Sequence, residues 1–198
     1  DYGTDVVAGV TPGKRGEEVA GVPVYNTVRE ALENHPEINT SLVYVPHFAA
    51  KDAILEAIDN GIKKINVTTE KIPTRDMWEI KKVIERENVT LVGPTSVGVI
   101  SPGKAKIGPI GGNKAGKVYQ EGSVGIISKS GGMTTETAQV IQDSGLGIST
   151  AMDIGGDRIA GTNGVEALEM FEEDDQTEGV VVFGELGGTY ENQIAEMV

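Results

Sequence analysis

The sequence predicts an α/β protein of two domains, each built on a parallel β-sheet with crossover helices. Three observations support this class. Short apolar runs alternate with amphipathic helical stretches in the first half, the connectors are short, and the alternation starts again after residue 123. Parallel strands need a crossover connection, usually a helix, so this order favours doubly wound sheets over hairpins.

In the first half, apolar runs bounded by Gly, Pro or polar residues indicate strands. The predicted strands are 6–10, a short one beginning at Val24, 41–45, 64–68 and 89–92. The predicted helices are 27–35, 49–60 and 74–87. Asn26 or Thr27 can cap the first helix, Gly61 closes the second, and Asp76 lies in the first turn of the third.

Residues 93–117 are rich in Gly, Pro and Lys and have no hydrophobic period, so we expect a linker or rim segment. Beyond it we predict strands at 124–127, 148–152 and 179–183, and helices at 134–144, 163–173 and from about 190. The predicted domains are therefore 1–95 and 121–198, joined by a linker at 96–120. The chain starts almost on a strand and stops inside a predicted helix, so we expect both domains to be truncated.

Composition excludes several classes of partner. The net charge of −13 disfavours nucleic acids and anionic membranes as partners. No apolar run approaches the roughly 18 residues that a membrane span needs, and the chain has no Cys for disulfides or thiol chemistry. A dinucleotide-dependent dehydrogenase is disfavoured, because no intact G-x-G-x-x-G and no suitably spaced ribose-binding acid are present. We expect no metal-binding residue.

The junction between strand 124–127 and the following helix is the most informative stretch. Ser130 and Gly131 occupy a glycine-rich turn where a helix begins. Glycines let the backbone approach a ligand closely, and the free N–H groups of a helix start favour anions. We therefore predict a phosphate or carboxylate site at Ser130 and Gly131; an ordinary tight turn is the alternative.

Other strand ends carry unusual residues, and ligands of parallel sheets bind beyond those ends. Lys14 lies in a Pro-Gly turn, where a solvated loop Lys is the alternative. Thr68, Thr69 and Glu70 offer hydroxyls and a carboxylate before a helix, although helix capping would also explain them. Glu185 follows a wholly apolar strand, and a nearly buried acid at that position needs a partner.

The sequence closely resembles the α subunits of the succinyl-CoA synthetase family, nucleoside-triphosphate-dependent acid–thiol ligases. The resemblance covers essentially the whole chain in order. The matching stretches are GVTPGK (9–14), VPVYNTVREA (22–31), KDAILEAIDNGIK (51–63), TTEKIPTRDM (68–77), VISPGKAKIG (99–108), GSVGIISKSG (122–131), IGGD (154–157), ALEMFEEDDQTE (167–178) and GELGG (184–188). It implies a Rossmann-like CoA-binding domain followed by a flavodoxin-like ligase domain.

The resemblance also implies roles for individual residues. Lys14 and the group Thr68, Thr69 and Glu70 would contact CoA, and Ser130 with Gly131 would hold phosphate. Glu185 would orient a phosphohistidine ring, and the reaction would pass through an acyl-phosphate and that phosphohistidine. The first CoA loop of the family would precede Asp1, and its phosphorylated His would follow Val198.

The identity of the acid stays open. Where the succinate enzymes have Ser-Gly-Thr-Leu-Thr-Tyr-Glu, this chain has SGGMTTE (130–136), so their substrate-contacting Tyr becomes Thr135. SGGM and GGDR (155–158), which ends in Arg158, are similar to ATP citrate lyase and citryl-CoA synthetase, whereas GVTPGK and TTEKIP are similar to the succinate enzymes. An Arg158 side chain could pair with an additional carboxylate of citrate; alternatively it ties to Asp157 or Glu166.

The resemblance implies CoA as ligand, and ATP or GTP with Mg²⁺ on a partner β subunit that carries an ATP-grasp domain. The expected assembly is an αβ heterodimer or its dimer, acting on a small carboxylic acid in the cytoplasm, or in the mitochondrial matrix of a eukaryote. We favour succinate narrowly. The alternatives are a citryl-CoA synthetase or ATP citrate lyase subunit, and a CoA-binding module without chemistry.

Overall fold

Strands and helices alternate through both halves of the chain in the computed structural model, which describes residues 3–186 and 189–197. The strands are β1 Gly9–Val10, β2 Glu18–Val19, β3 Val22–Tyr25, β4 Thr40–Val43, β5 Lys64–Val67, β6 Thr90–Val92, β7 Gly98–Ser101, β8 Ala105–Ile107, β9 Glu121–Ser128, β10 Ile148–Asp153 and β11 Gly179–Phe183. The α-helices are α1 Val28–Asn34, α2 His47–Asp59, α3 Thr74–Glu87, α4 Ala115–Val118, α5 Gly131–Asp143, α6 Gly164–Glu172 and α7 Tyr190–Met197. Among the described residues, no helix is both long and apolar enough to cross a membrane.

The first half contains two three-stranded sheets. β4, β5 and β6 are parallel and pack with α2 and α3 around fully buried Ile54, Ile80 and Leu91. β1 pairs in parallel with β3, and β2 pairs antiparallel with β3. The strand predicted at 6–10 is wrong in length, since only its last two residues pair. Upstream of it, the Thr4 hydroxyl accepts the Lys106 N–H at 2.9 Å, so the chain there bonds to β8 instead.

The second half forms a five-stranded sheet with the order β11-β9-β10-β7-β8. β9, β10 and β11 are parallel, as predicted, but β7 and β8 are antiparallel, so the sheet is mixed. The segment expected as a linker or rim therefore contributes two strands to this sheet. Ile100 of β7 is fully buried, but the two apolar residues of GVIS stand side by side between a Gly and a Ser, so no alternation marks this strand. The domain boundaries themselves stay a prediction.

Both faces of this sheet are covered. Ile126 packs in the cluster that contains Ala138 of α5, whereas Ile127 packs in the cluster that contains Leu168 of α6. Successive side chains of a strand point to opposite faces, so α5 and α6 lie on opposite sides of β9. Such a doubly covered sheet leaves its strand ends as the accessible edge, and ligands bind at that edge in parallel folds.

Hydrogen bonds and an ion pair join the two halves of the chain directly. Lys81 on α3 donates to the Gly161 carbonyl at 2.7 Å and lies 3.3 Å from Glu166 on α6. The Thr162 hydroxyl donates to the Leu91 carbonyl at 2.9 Å. Because Lys81 and Thr162 are largely buried, water competes little for these bonds, and they fix α3 and β6 against the loop before α6.

Candidate functional site

The loops that follow β9, β10 and β11 emerge side by side. Ser128 at the end of β9 is level with Asp153 of β10 and with Phe183 of β11. The Ile154 N–H donates to the Ser128 carbonyl at 2.8 Å, and the Lys129 N–H donates to the Phe183 carbonyl at 3.1 Å. The loops beginning at residues 129, 154 and 184 therefore meet at one edge, the edge where the sequence predicts a site.

The loop after β9, which lies between the other two, leads into α5. This helix begins at Gly131, three residues before its predicted start. Ser130 is the N-cap. Its side chain accepts one hydrogen bond, a long one of 3.5 Å from the Met133 N–H. The N–H groups of Gly131 and Gly132 donate to no other residue that the structure describes. A helix start with open donors favours an anion, so the anion site at Ser130 and Gly131 stays a prediction that this geometry suits.

Gly131 is required by a close approach. A Cβ atom built on it would lie 2.5 Å from Cγ1 of Val97, in the segment before β7. Val97 is held there because its N–H donates to the Asp153 carboxylate at 2.7 Å. The first turn of α5 is therefore positioned by a contact that only glycine permits.

Asp153 is the last residue of β10, one position beyond the strand predicted at 148–152. It is fully buried, and its carboxylate also accepts the Gly155 N–H at 3.2 Å. Burial raises the pKa of the Asp153 carboxyl, while the two N–H donors oppose that shift. No local pattern marks this burial, because polar Ser149 and Thr150 interrupt the apolar residues of β10.

The Gly155–Asp157 turn packs on the loop after β6. Gly155 has a φ of +81°, and a Cβ there would lie 2.0 Å from the Pro94 carbonyl oxygen, so no other residue fits. The Thr95 hydroxyl bonds to the Asp157 carboxylate. This turn is therefore fixed on both sides, which an ordinary surface turn would not be.

Arg158 follows that turn and is exposed. It makes no ion pair with any residue in the described ranges, so the alternative that it ties to Asp157 or Glu166 is not observed. Asp157 bonds to Thr95, and Glu166 pairs with Lys81 and caps α6. The Arg158 guanidinium is therefore available to an anionic ligand.

Glu185 lies across the site, but it is exposed, so the expectation of a nearly buried acid is wrong. β11 is an edge strand, and solvent reaches its end. The carboxylate still lies against the Gly-Gly turn, since a Cβ on Gly156 would be 3.3 Å from Glu185 Oε2. The Glu185 N–H donates to Glu191 at 3.1 Å. The last two residues of the GELGG motif, 187 and 188, lie outside the described residues.

Thr135 lies one helical turn after Gly131 and has a partner that the sequence did not reveal. Its Oγ1 is 3.1 Å from the hydroxyl of Tyr119, a fully buried side chain of the segment before β9. The two residues are 16 positions apart, and Tyr119 follows a short helix that was predicted as linker. Neither periodicity nor a motif predicts such a tertiary pair.

The Lys14 loop is held by one side chain. The side-chain oxygen Oδ1 of Asn26 accepts hydrogen bonds from the Gly13 N–H at 2.8 Å and from the Arg15 N–H at 3.3 Å. Lys14 is exposed and pairs with Glu17 at 3.1 Å. Both side chains are more than half exposed, so the pair contributes little and leaves Lys14 able to exchange partners.

The three residues after β5 have different environments. Thr69 is buried and donates its hydroxyl to the Val45 carbonyl at 2.7 Å, so it ties this loop to the one after β4. Thr68 has a buried Oγ1 without a hydrogen-bond partner in the described chain. Glu70 is exposed. No hydrogen bond or ion pair between described residues joins these three to Lys14.

A cleft of about 340 Å³ lies elsewhere, between α3 and α6. Its charged lining is mainly acidic, with Lys81 as the cation among the residues that line it. The lining includes Glu85, Glu166, Glu169 and Glu173. An acidic cleft repels phosphate and carboxylate ligands, so the strand ends remain the better candidate for such ligands.

Family models match both halves of the chain. A CoA binding domain matches residues 1–71, and a CoA-ligase domain matches residues 127–198. The first match contains Lys14 and the Thr68–Glu70 loop, and the second contains Ser130, Gly131 and Glu185.

Similar proteins come from one ligase class. The chain is 46% identical over 200 residues to the α subunit of ADP-forming succinate–CoA ligase from Aquifex aeolicus, covering all of this chain and 64% of that protein. It is 41% identical over 198 residues to the SqwL subunit of an ADP-forming sulfoacetate-CoA ligase from Acholeplasma sp, covering all of this chain and 66% of that protein. It thus spans about two thirds of the length of these curated relatives.

The fold is also similar to that of a solved enzyme. ATP citrate lyase from Methanothrix soehngenii, in complex with citrate and coenzyme A, matches with a TM-score of 0.84 and 29% identity, over 88% of this chain and 29% of that chain. The sequence and structural matches extend through both halves of the chain in order. Together they identify the chain as a member of the succinate–CoA ligase α-subunit family.

Proposed function

We propose that this chain is part of the α subunit of a nucleotide-dependent acid–CoA ligase. The proposed reaction is succinate + CoA + NTP = succinyl-CoA + NDP + phosphate, through an acyl-phosphate and a phosphohistidine. The observation that supports it best is the open helix start at Gly131, which lies between the loop of Arg158 and the loop of Glu185. That arrangement suits a phosphoryl group flanked by a cation on one side and a carboxylate on the other.

Ser130 and Gly131 are proposed to hold the phosphoryl group through their backbone N–H groups and the positive end of α5. Glu185 would accept a hydrogen bond from a histidine ring, in a segment outside residues 1–198 according to the resemblance. A carboxylate acceptor fixes the tautomer of a histidine, so the opposite ring nitrogen faces the phosphoryl group. The exposure of Glu185 leaves room for such a ring.

Lys14 and Thr68 are proposed to hold CoA, which supplies the thiolate that accepts the acyl group. Two observations suit this ligand. The Lys14 loop is pre-ordered by Asn26, so binding phosphates there orders little additional backbone. The buried Thr68 hydroxyl lacks a partner in the described chain, and a polar ligand would satisfy it. Thr69 would support CoA binding by holding the shape of the loop, and the exposed Glu70 would contact CoA at the edge of that loop.

The acid is proposed to lie near Thr135 and Arg158, and succinate is the first candidate. A relative is named for sulfoacetate, and a structural neighbour contains citrate. All three acids carry a second anionic group, which an unpaired guanidinium can bind in a bidentate way. We therefore propose a small acid with two anionic ends as the substrate.

The proposed partner is a β subunit with an ATP-grasp domain that binds ATP or GTP with Mg²⁺, in an αβ heterodimer or its dimer. The test is to express the full-length α chain with its β partner and measure kcat/KM for succinate, citrate and sulfoacetate. NTP-dependent formation of an acyl-CoA from one of them supports the ligase. Binding of CoA without acyl-CoA formation from any acid would favour the CoA-binding module instead.

Arg158→Gln in the same assay tests the acid pocket, with Arg86→Gln, an exposed arginine at the end of α3, as its matched control. We expect the Arg158 variant to lose about tenfold or more in kcat/KM for a diacid relative to a monoacid, since one charged contact is removed. Equal ratios in both variants would mean that Arg158 plays no part in acid choice.

A further inference from the structure

We propose that Tyr119 is a positioning residue for the acid: it holds the Thr135 hydroxyl so that the Thr135 proton is donated toward the start of α5. This inference rests on the proposed function, because the ligand that would accept this proton is the carboxylate or acyl-phosphate of the ligase reaction. The geometry, the burial of Tyr119 and the count of hydrogen-bond donors support it.

The geometry sets Thr135 beside the anion site. Gly131 and Thr135 are four residues apart on α5, so they lie on one face of the helix, about 6 Å apart along its axis. Side chains of a helix lean toward its N-terminus, so the Thr135 side chain leans toward the open N–H groups of Gly131 and Gly132. Thr135 is partly buried and can therefore be reached from the site.

The donor count sets the direction of the Thr135 proton. Tyr119 is 1% exposed, and burial raises the pKa of its hydroxyl to about 12, so the phenol keeps its proton. Within the described residues Thr135 is the only hydrogen-bond partner of that hydroxyl, at 3.1 Å. A buried donor without an acceptor is costly, so Tyr119 donates and Thr135 accepts.

The Thr135 hydroxyl then has one proton left. Its neighbour Thr134 donates back to the Ser130 carbonyl at 2.7 Å, whereas Thr135 makes no such bond to any described residue. The remaining proton can serve an anionic oxygen near Gly131. Tyr119 itself stays in place through close packing, since a Cβ on Gly111 would be 2.8 Å from its ring.

The test compares Tyr119→Phe, Thr135→Val and the double variant in the full-length α chain with its β partner. Each substitution removes one hydroxyl and keeps the shape of the side chain. We expect KM for the acid to rise about tenfold in each single variant, the change expected for one lost hydrogen bond to a charged group. KM for CoA and for the nucleotide should stay unchanged, and Thr135→Ser should restore the acid KM.

The double variant should be no worse than Thr135→Val alone, because Tyr119 acts only through Thr135. Tyr25→Phe, a partly buried tyrosine of the first half, is the matched control and should leave the acid KM unchanged. A Tyr119→Phe enzyme that unfolds at a lower temperature but keeps its acid KM would overturn the inference, as would additive effects in the double variant. Failure of the wild type with every acid would instead refute the proposed function.

Discussion

The Asp153 carboxylate accepts the Val97 N–H at 2.7 Å, which joins the end of β10 to the segment that precedes β7. The Val97 side chain in turn fills the space in front of Gly131. The other oxygen of Asp153 accepts the Gly155 N–H, in the turn that touches Glu185. One buried side chain therefore positions both the glycine-rich turn that begins α5 and the Gly155–Asp157 turn, on the opposite side of the candidate site.

Asp153→Asn should change how stability depends on pH. Burial raises the folded-state pKa of Asp153 above its unfolded value of about 3.9, so the native state binds the extra proton. The wild-type free energy of unfolding should therefore fall as pH rises from about 4 through the folded-state pKa, and this component is absent from the Asn variant. Denaturant unfolding at a series of pH values measures it.

The stability advantage of the wild type over Asp153→Asn should thus be larger at low pH and smaller above that window. Asn keeps one acceptor oxygen and turns an N–H donor toward a backbone N–H, which costs about 1–3 kcal/mol at all pH values. Asp52→Asn, at an exposed position of α2, controls for loss of a carboxylate. A pH-independent difference between wild type and Asp153→Asn would contradict the prediction.

Gly131→Ala should weaken phosphate binding about tenfold, because the new methyl group would lie 2.5 Å from Val97 and push the start of α5 away from it. The overpacking should also lower the free energy of unfolding by about 1–3 kcal/mol. Gly132→Ala is the matched control, since nothing lies within 4 Å of its Cβ. The KM for phosphate in the reverse reaction and thermal unfolding of both variants test this. Equal behaviour of the two alanines would remove Gly131 from the site.

Lys14→Ala should weaken CoA binding by about 1–2 kcal/mol, roughly 5- to 30-fold, because a cation in a pre-ordered loop is lost from the phosphates. Lys63→Ala is the control: Lys63 is exposed and lies before β5, at the opposite end of that strand from Thr68. Calorimetric titration of CoA into both full-length variants gives the comparison. If both bind like wild type, Lys14 is only a solvated loop residue.

Glu185→Gln should slow phosphorylation of the enzyme by NTP at least tenfold, because the neutral amide is a weaker acceptor for a histidine N–H than a carboxylate. Glu178→Gln changes an exposed glutamate at the other end of β11, where its Oε2 accepts the Ser123 hydroxyl at 2.8 Å. Incorporation of labelled phosphate into the full-length α chain with its β partner is the readout. Phosphorylation of the Glu185 variant at the wild-type rate would rule out the orienting role.

The sequence predicts the strand–helix alternation and the glycine-rich turn before α5 well, because periodicity, glycines and N-caps are local signals. α3 begins and ends where its pattern predicts, and Ser130 caps a helix as expected for its type. The sequence does not mark β7, because the apolar residues of GVIS do not alternate with polar ones and because its burial depends on β10. The burial of Asp153 and the exposure of Glu185 are set by neighbouring strands, which no local pattern encodes.

The open first turn of α5 also has a consequence for local dynamics. With the Gly131 and Gly132 amides unbonded within the described chain, and Ser130 Oγ at 3.5 Å from the Met133 amide, this turn lacks the closure that a good cap provides. An anion bound there would itself serve as the cap and suppress fraying of the helix end. Amide hydrogen exchange at residues 131–133 would then slow when the site is occupied, so it reports ligand occupancy even when no turnover takes place.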